Sequence, residues 1–258
     1  MKKLLLALAL TAGMTLSAGN AHAVSVRLDL TSLGLGSGDG VTRLFDQLQM
    51  FSQTTSTDLD GIPGGAFTDV GHLAITGMLP PPTGDTEGLD SAWFLTGEWT
   101  DLSGFSTVTA TGFDYTYTSG TMKLYAGSTP YSFGSSVGSE DDTGFTSGTE
   151  IASLSLVSGT GDLNTSDNTG ATKLFWKFDS MKAGVWKDQY GNDLNDQIPL
   201  VLAVSDSNTD NVILDGTKIH SNHDGSVTIA VTPEPASLVL FGSGLVGFIA
   251  RRKKKILA

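Results

Sequence analysis

The clearest pattern for metal chemistry in the sequence is a set of three oxygen-bearing side chains at alternate positions. They are Asp206, Asn208 and Asp210. Calcium binds several oxygen ligands that converge from one loop, and this spacing matches the first ligand positions of an EF-hand loop. The rest of that pattern is missing, because Asn211 stands where a glycine is needed and Thr217 where a bidentate glutamate is needed. Aspartate and asparagine also make ordinary turns between strands, which is the simpler interpretation. The segment is therefore a candidate calcium site with a turn as the alternative.

Two tryptophans are candidates for binding sugars, because aromatic rings that face solvent can stack on sugar rings. Trp186 precedes the polar residues 187–189, and Trp99 follows Glu98. Core packing is the alternative for both rings. Glu98 is also the best single candidate for a glycosidase carboxylate, but glycosidases need two placed carboxylates and the sequence pairs it with none.

Other catalytic groups are poorly supported. His220 and His223 lie close to Asp224, which could begin a metal site, but this stretch is polar and is predicted to be a solvated loop. The chain has no cysteine, so it has neither a thiol nucleophile nor a cysteine metal site. We therefore expect a protein that is not an enzyme.

The elements that would position these residues are short strands. Alternating apolar and polar residues recur between breaks rich in Gly, Ser, Thr and Asp, and no long helical period appears. The clearest hairpin is 113–125, with its turn at Ser119 and Gly120. About ten strands predict an all-β body, an antiparallel β-sandwich or a jelly-roll-like barrel. The other predicted strands are 24–30, 43–53, 72–79, 92–100, 106–112, 151–157, 173–179, 198–204 and 226–231.

The two ends of the chain are targeting segments. Lys2 and Lys3 precede an apolar run, and a small-residue region ends at Ala23, so residues 1–23 are predicted to be a secretory signal that is cut after Ala23. Residues 236–250 are apolar or small, and a helix of that length spans about 22 Å, less than the roughly 30 Å of a bilayer core. Five basic residues follow and would stay in the cytoplasm. The body, 24–232, must therefore lie across the membrane.

The body is strongly acidic. It keeps 8 basic and 26 acidic residues, a net charge of −18. Such a surface repels nucleic acid, so no nucleic-acid partner is expected, and it attracts divalent cations and basic partners.

The C-terminal 26 residues, 233–258, resemble the PEP-CTERM sorting signal of Gram-negative bacterial surface proteins. The three parts of that signal are Pro233-Glu234-Pro235, the apolar run, and the basic tail that begins at Arg251 and Arg252. The resemblance implies export through the inner membrane, transient anchoring there, and cleavage near Pro-Glu-Pro by an exosortase. Proteins of this kind tend to belong to bacteria that make extracellular polysaccharide, biofilm or flocs.

Residues 44–48, 57–61, 183–186 and 191–194 further resemble the flocculation-associated branch of these proteins. The sequence thus predicts a cell-surface or matrix protein that associates with exopolysaccharide and promotes biofilm or floc formation. Two alternatives stay open at this point. One is a secreted carbohydrate-active enzyme or glycan-binding module that uses the same sorting route, and the other is a calcium-dependent structural matrix protein.

Overall fold

The chain folds into β-strands, which a computed structural model describes over residues 22–58, 64–79, 86–135, 137–198 and 201–231. Two short 3₁₀ helices, Thr31–Leu33 and Leu194–Gln197, complete the regular structure of these residues. The strands are β1 (His22–Ala23), β2 (Val26–Leu28), β3 (Gln47–Asp58), β4 (Ala66–Leu79), β5 (Phe94–Val108), β6 (Gly112–Ser119), β7 (Thr121–Gly127), β8 (Thr149–Asn164), β9 (Thr169–Met181), β10 (Trp186–Asp188), β11 (Val201–Asp215) and β12 (Lys218–Val231).

The main sheet closes on itself as an eight-stranded antiparallel barrel. Its order is β3, β4, β5, the β6–β7 pair, β8, β9, β11 and β12, and β12 pairs with β3 from Lys218↔Thr57 to Thr228↔Gln47. A sandwich would leave two separate sheets with free edges, whereas this pairing leaves the barrel without an edge. The predicted sandwich or jelly-roll-like body is therefore wrong.

Strands β6 and β7 form one interrupted strand and not the predicted hairpin. Both run antiparallel to β5, with Ser103 opposite Ser119 and Trp99 opposite Met122. The reversal of the chain lies earlier, where the amide of Thr109 donates to the carbonyl of Gly112. The Ser119-Gly120 turn is thus an interruption within a strand, and the predicted strand 106–112 spans the real turn.

Several strands are longer than predicted. About half of each such strand is polar, and the alternation of apolar residues does not predict a strand in that half. The predicted strand 198–204 continues as β11 to Asp215, and the predicted strand 226–231 begins earlier, at Lys218. Ser205, Ser207 and Thr209 alternate along β11 and are buried. Their hydroxyls face the barrel interior, so this part of β11 is polar on its inward face as well as on its outward face.

One end of the barrel is filled by a small second sheet. Strand β10 pairs with β2, with Trp186 opposite Leu28, and both of these side chains are fully buried. Trp186 packs on Phe178 with ring centroids 6.0 Å apart, and its Nε1 donates to the carbonyl of Ile151 at 3.0 Å. We call this the plug end. The opposite end, where the chain turns between β3 and β4, β5 and β6, β8 and β9, and β11 and β12, is the hairpin end.

The residues between β7 and β8 pack on the outer wall of the barrel. Phe145 stacks on His72 with ring centroids 4.9 Å apart, and Phe133 meets Phe51 edge-on at 4.8 Å. Nδ1 of His72 lies 3.0 Å from a carboxylate oxygen of Asp142, whose side chain is fully buried. This part of the chain is therefore a cover for the outer faces of β3 and β4.

Candidate ligand site in the barrel interior

The barrel interior is apolar near the plug end and polar near the hairpin end. The apolar part is filled by aliphatic and aromatic side chains such as Leu48, Ile75, Leu154 and Phe178. The polar part is lined largely by hydroxyls, together with the carboxylate of Asp69, the imidazole of His223 and the indole of Trp99. Its members are Ser52, Thr54, Ser56, Asp69, Trp99, Tyr117, Thr172, Ser205, Ser207, Thr209, Ser221 and His223.

The carboxylate of Asp69 is the main acidic group of this interior. Strand β4 carries it, and it accepts hydrogen bonds from Nε1 of Trp99 at 2.7 Å and from the hydroxyl of Ser56 at 2.8 Å. Burial raises the pKa of Asp69 to about 6, against the opposing effect of these two donors. Gly71 makes room for the indole, because a Cβ there would lie 2.4 Å from the Trp99 ring. The carboxyl group is held in place and titrates near neutrality.

His223 lies among hydroxyl groups in the same interior. Its Nε2 is 3.2 Å from the hydroxyl of Thr54 and 3.0 Å from that of Ser221, and its Nδ1 is 3.0 Å from that of Thr209. Burial lowers the pKa of His223 to about 4. The ring is therefore neutral at physiological pH and serves as a hydrogen-bonding member of a network.

Among the described residues, the polar part contains two larger cavities and a smaller one of about 20 Å³. The inner of the two larger cavities has a volume of about 40 Å³ and is lined by Asp69, Trp99, Trp176 and His223 among others. The outer one lies at the hairpin end and has a volume of about 110 Å³. The arrangement can hold small polar or amphipathic groups through hydroxyl, carboxylate and aromatic contacts.

The three candidate calcium ligands lie on a strand instead of in a loop. Asp206, Asn208 and Asp210 point outward from β11 and are exposed, and Asp206 lies 3.5 Å from Nζ of Lys173. Side chains two apart on one face of a strand are separated by roughly 6–7 Å, which keeps them from converging on one ion. Within the described ranges, no three His, Asp or Glu side chains are placed to hold a metal. Calcium binding stays a prediction.

The two candidate sugar-binding tryptophans are buried. Trp186 is 0 % exposed at the plug end, and Trp99 is 8 % exposed and lines the inner cavity. Neither ring offers a face to solvent on the outer wall, so stacking on an external glycan at these positions would require the barrel to open.

His220 and His223 do not form one site. They lie on β12 at an odd spacing, so their side chains point to opposite faces of the sheet. His223 faces the interior, while Nδ1 of His220 lies 3.1 Å from the hydroxyl of Thr55 and 3.4 Å from Glu140 of the outer cover. Sequence reasoning missed Asp69 and the interior role of His223, since only the strand register shows which face a polar residue occupies.

The sorting residues Pro233, Glu234, Pro235, Arg251 and Arg252 lie outside the described residues, as does most of the predicted secretory signal. Ala23, the predicted cleavage position, is described and exposed in the two-residue strand β1. In the part of the chain that the structure describes, no helix has the length and apolar character that a membrane crossing needs.

Comparison with protein families identifies the type of signal at the C-terminal end of the chain. The model of the PEP-CTERM protein-sorting motif matches residues 231–254. The chain carries a PEP-CTERM motif. The motif implies processing by an exosortase and export to the surface of a Gram-negative bacterium. It covers the sorting segment and leaves the barrel unassigned.

Comparison of the whole chain adds little. No curated protein matches it. Among solved structures, the crystal structure of Ail, the attachment invasion locus protein of Yersinia pestis, is similar over 72% of this chain and 99% of that chain, with 9% identity and a TM-score of 0.14. A TM-score this low supports no conclusion about fold or function.

The PEP-CTERM motif leads to a prediction about processing. We expect protein recovered from the cell surface to begin at Val24 and to end near Pro233 to Pro235, because both targeting segments are removed during export. Mass spectrometry of the intact protein measures both ends. An external protein that still carried Arg251 and Arg252 would show that the C-terminal segment is a permanent anchor.

Proposed function

We propose that the protein works outside the cell as a surface or matrix protein that associates with exopolysaccharide and promotes the cohesion of flocs or biofilm. The observation that carries this proposal is the PEP-CTERM motif at residues 231–254, which implies that the protein is exported. The acidic body, with its net charge of −18, disfavours anionic lipid and nucleic acid as partners.

The outer wall of the barrel has a chemistry that suits contact with a polyol. Exposed hydroxyls face each other across neighbouring strands, 2.8 Å apart for Ser103 and Ser119 and 2.7 Å apart for Ser153 and Ser180. The hydroxyl and the amide of Thr121 both donate to the exposed carboxylate of Asp101. Hydroxyls and carboxylates retain unused acceptor positions after such bonds. A glycan strand could form many weak hydrogen bonds along this wall.

The proposal includes no catalysis. Glu98, the carboxylate singled out for a glycosidase, lies on the outer wall of β5 and accepts a hydrogen bond from the hydroxyl of Tyr125 at 2.9 Å. Its neighbour across the strand pair is Lys123. A glycosidase holds an acid and a second carboxylate on either side of the scissile bond, and a position on the convex outer wall gives a substrate no cleft.

Binding without cleavage is the expected behaviour of the exported protein. When it is mixed with exopolysaccharide from its host, we expect it to sediment with the polymer while the polymer keeps its length and releases no reducing sugar. Co-sedimentation measures binding, size-exclusion chromatography measures the length of the polymer, and a reducing-end assay measures released sugar. Shortening of the polymer would favour a carbohydrate-active enzyme, and Glu98→Gln would then be the first variant to make.

A further inference from the structure

The hairpin end of the barrel contains a cavity that the sorting motif and the proposed association with polysaccharide do not assign. Its volume is about 110 Å³, the largest of the three described above. It is lined by residues next to the turns between β3 and β4, β5 and β6, and β11 and β12. Pockets for drug-sized ligands measure roughly 300–1,000 Å³, so this cavity suits a single small ring. We call it the mouth cavity.

One wall of the mouth cavity is aromatic. Phe67 of β4 meets Tyr115 of β6 edge-on with ring centroids 5.3 Å apart, and Phe113 lies 6.2 Å from Tyr115. Phe113 and Tyr115 are only partly buried. Partly exposed rings at the edge of a cavity offer apolar surface to a ligand while their other sides stay packed.

The rest of the lining is polar. Its hydroxyl and carboxylate groups come from Ser56, Asp58, Ser106 and Thr217. The ammonium of Lys218, at the same rim, pairs instead with Glu140 of the outer cover. Burial, followed by the negative charges of Asp69 and Asp58, raises the pKa of Tyr115 above its ordinary value. The carboxylates of Asp58 and Asp69 therefore bring negative charge close to the ring of Tyr115. An uncharged ring with several hydroxyls fits this environment better than an anionic one.

The mouth cavity ends within the barrel. Below it, Tyr117 is buried and packs on Phe67 with ring centroids 5.2 Å apart, and the space beyond narrows to a cavity of about 20 Å³. Trp99 and Trp176 occupy the centre, where both are buried. A polymer therefore cannot pass through the barrel, and only a chain end can enter the mouth cavity.

We infer that the mouth cavity binds the uncharged terminal pyranose of a glycan chain, with the sugar ring packed on Phe113 and Tyr115 and its hydroxyls bonded to Ser56 and Thr217. This inference rests on the proposed function, since the polysaccharide supplies the ligand. It adds a specific end-binding site to the weak contacts along the outer wall.

The test uses the exported protein from its host and sugars from the host's own exopolysaccharide. Complete and partial hydrolysates are separated by anion exchange into neutral and acidic fractions, and binding is measured by saturation-transfer NMR and by titration. The variant Phe113→Leu keeps an apolar side chain but removes the ring. The matched control is Phe105→Leu, since Phe105 lies on β5 beside Ser106 but is 60% exposed on the outer wall.

We expect the neutral monosaccharide and oligosaccharide fractions to bind the wild type and Phe105→Leu equally, and to bind Phe113→Leu about fivefold or more weakly. Preference for the acidic fraction, or equal binding by Phe113→Leu and the wild type, would overturn the inference. If the wild type sediments with intact polymer but binds no hydrolysed sugar, the mouth cavity is not the site while the proposed function stands. If the intact polymer does not bind at all, the proposed function fails, and with it the inference.

Discussion

Replacing Trp186 with alanine is expected to lower the free energy of unfolding by about 3–5 kcal/mol. The side chain is fully buried at the plug end, packs on Phe178 and donates to the carbonyl of Ile151. The substitution leaves a large cavity and removes one of the two hydrogen bonds to that carbonyl, which keeps its bond from the amide of Lys182. The total stability of a domain is only about 5–15 kcal/mol, so the loss is a large fraction of it.

Denaturation with guanidinium chloride measures this loss, with Tyr190→Ala as the control. Tyr190 is close in sequence and aromatic, but it is 80% exposed, so its removal is expected to change stability by no more than about 0.5 kcal/mol. The same pair of variants tests the earlier hypothesis of a sugar-stacking Trp186. Weaker glycan binding by Trp186→Ala at unchanged stability would contradict the buried position and restore that hypothesis.

Asp69 and His223 are expected to give the stability of the barrel two opposing dependences on pH. The folded pKa of Asp69 is about 6 against 3.8 when unfolded, so the folded state holds this proton more tightly. The contribution of Asp69 to the free energy of unfolding is therefore fully present below pH 3.8 and is lost as the pH rises through 6. The folded pKa of His223 is about 4 against 6.5 when unfolded. Its contribution is complete above pH 6.5 and is lost as the pH falls through 4.

When one of the two residues is replaced, the pH dependence of stability that the other residue causes should become measurable. Each shift corresponds to a change on the order of 3 kcal/mol over its pH window, and in the wild type the two largely cancel. Relative to the wild type, Asp69→Asn should gain stability as the pH rises from 4 to 6, and His223→Gln should gain stability as the pH falls from 6.5 to 4. Denaturation curves at constant ionic strength from pH 4 to 7 measure both differences. Curves parallel to those of the wild type would mean that the interior does not shift these two pKa values.

The sequence located most of the strands but not their polar halves. Apolar alternation identified the parts of β9, β11 and β12 near the plug end, where side chains such as Trp176 and Phe178 fill the interior. Toward the hairpin end the inward positions become Ser, Thr and His, and this composition is also typical of loops. The alternation of Asp206, Asn208 and Asp210 likewise predicts a turn or a calcium-binding loop, although this segment lies in the middle of β11.

The closure of the sheet could not be predicted from local patterns. A sandwich and a barrel both contain short strands with alternating residues. The difference between them is the pairing of β12 with β3, two strands that lie far apart in the sequence. The same register decides that Asp69 meets Trp99 and that His220 and His223 face opposite sides. The sorting signal was predicted correctly, because its order of Pro-Glu-Pro, apolar run and basic tail is continuous in sequence and needs no tertiary contact.

We propose that the exported barrel retains polysaccharide at the cell surface, and deletion of the gene in its host tests this proposal. The measurement is the amount of exopolysaccharide on the cells and in the medium, together with floc formation. We expect cells without the protein to disperse, total polysaccharide to stay unchanged, and the polymer to shift from the cells to the medium, with recovery when the intact gene is restored. A fall in total polysaccharide, or flocs and polymer distribution like those of the parent strain, would contradict the account.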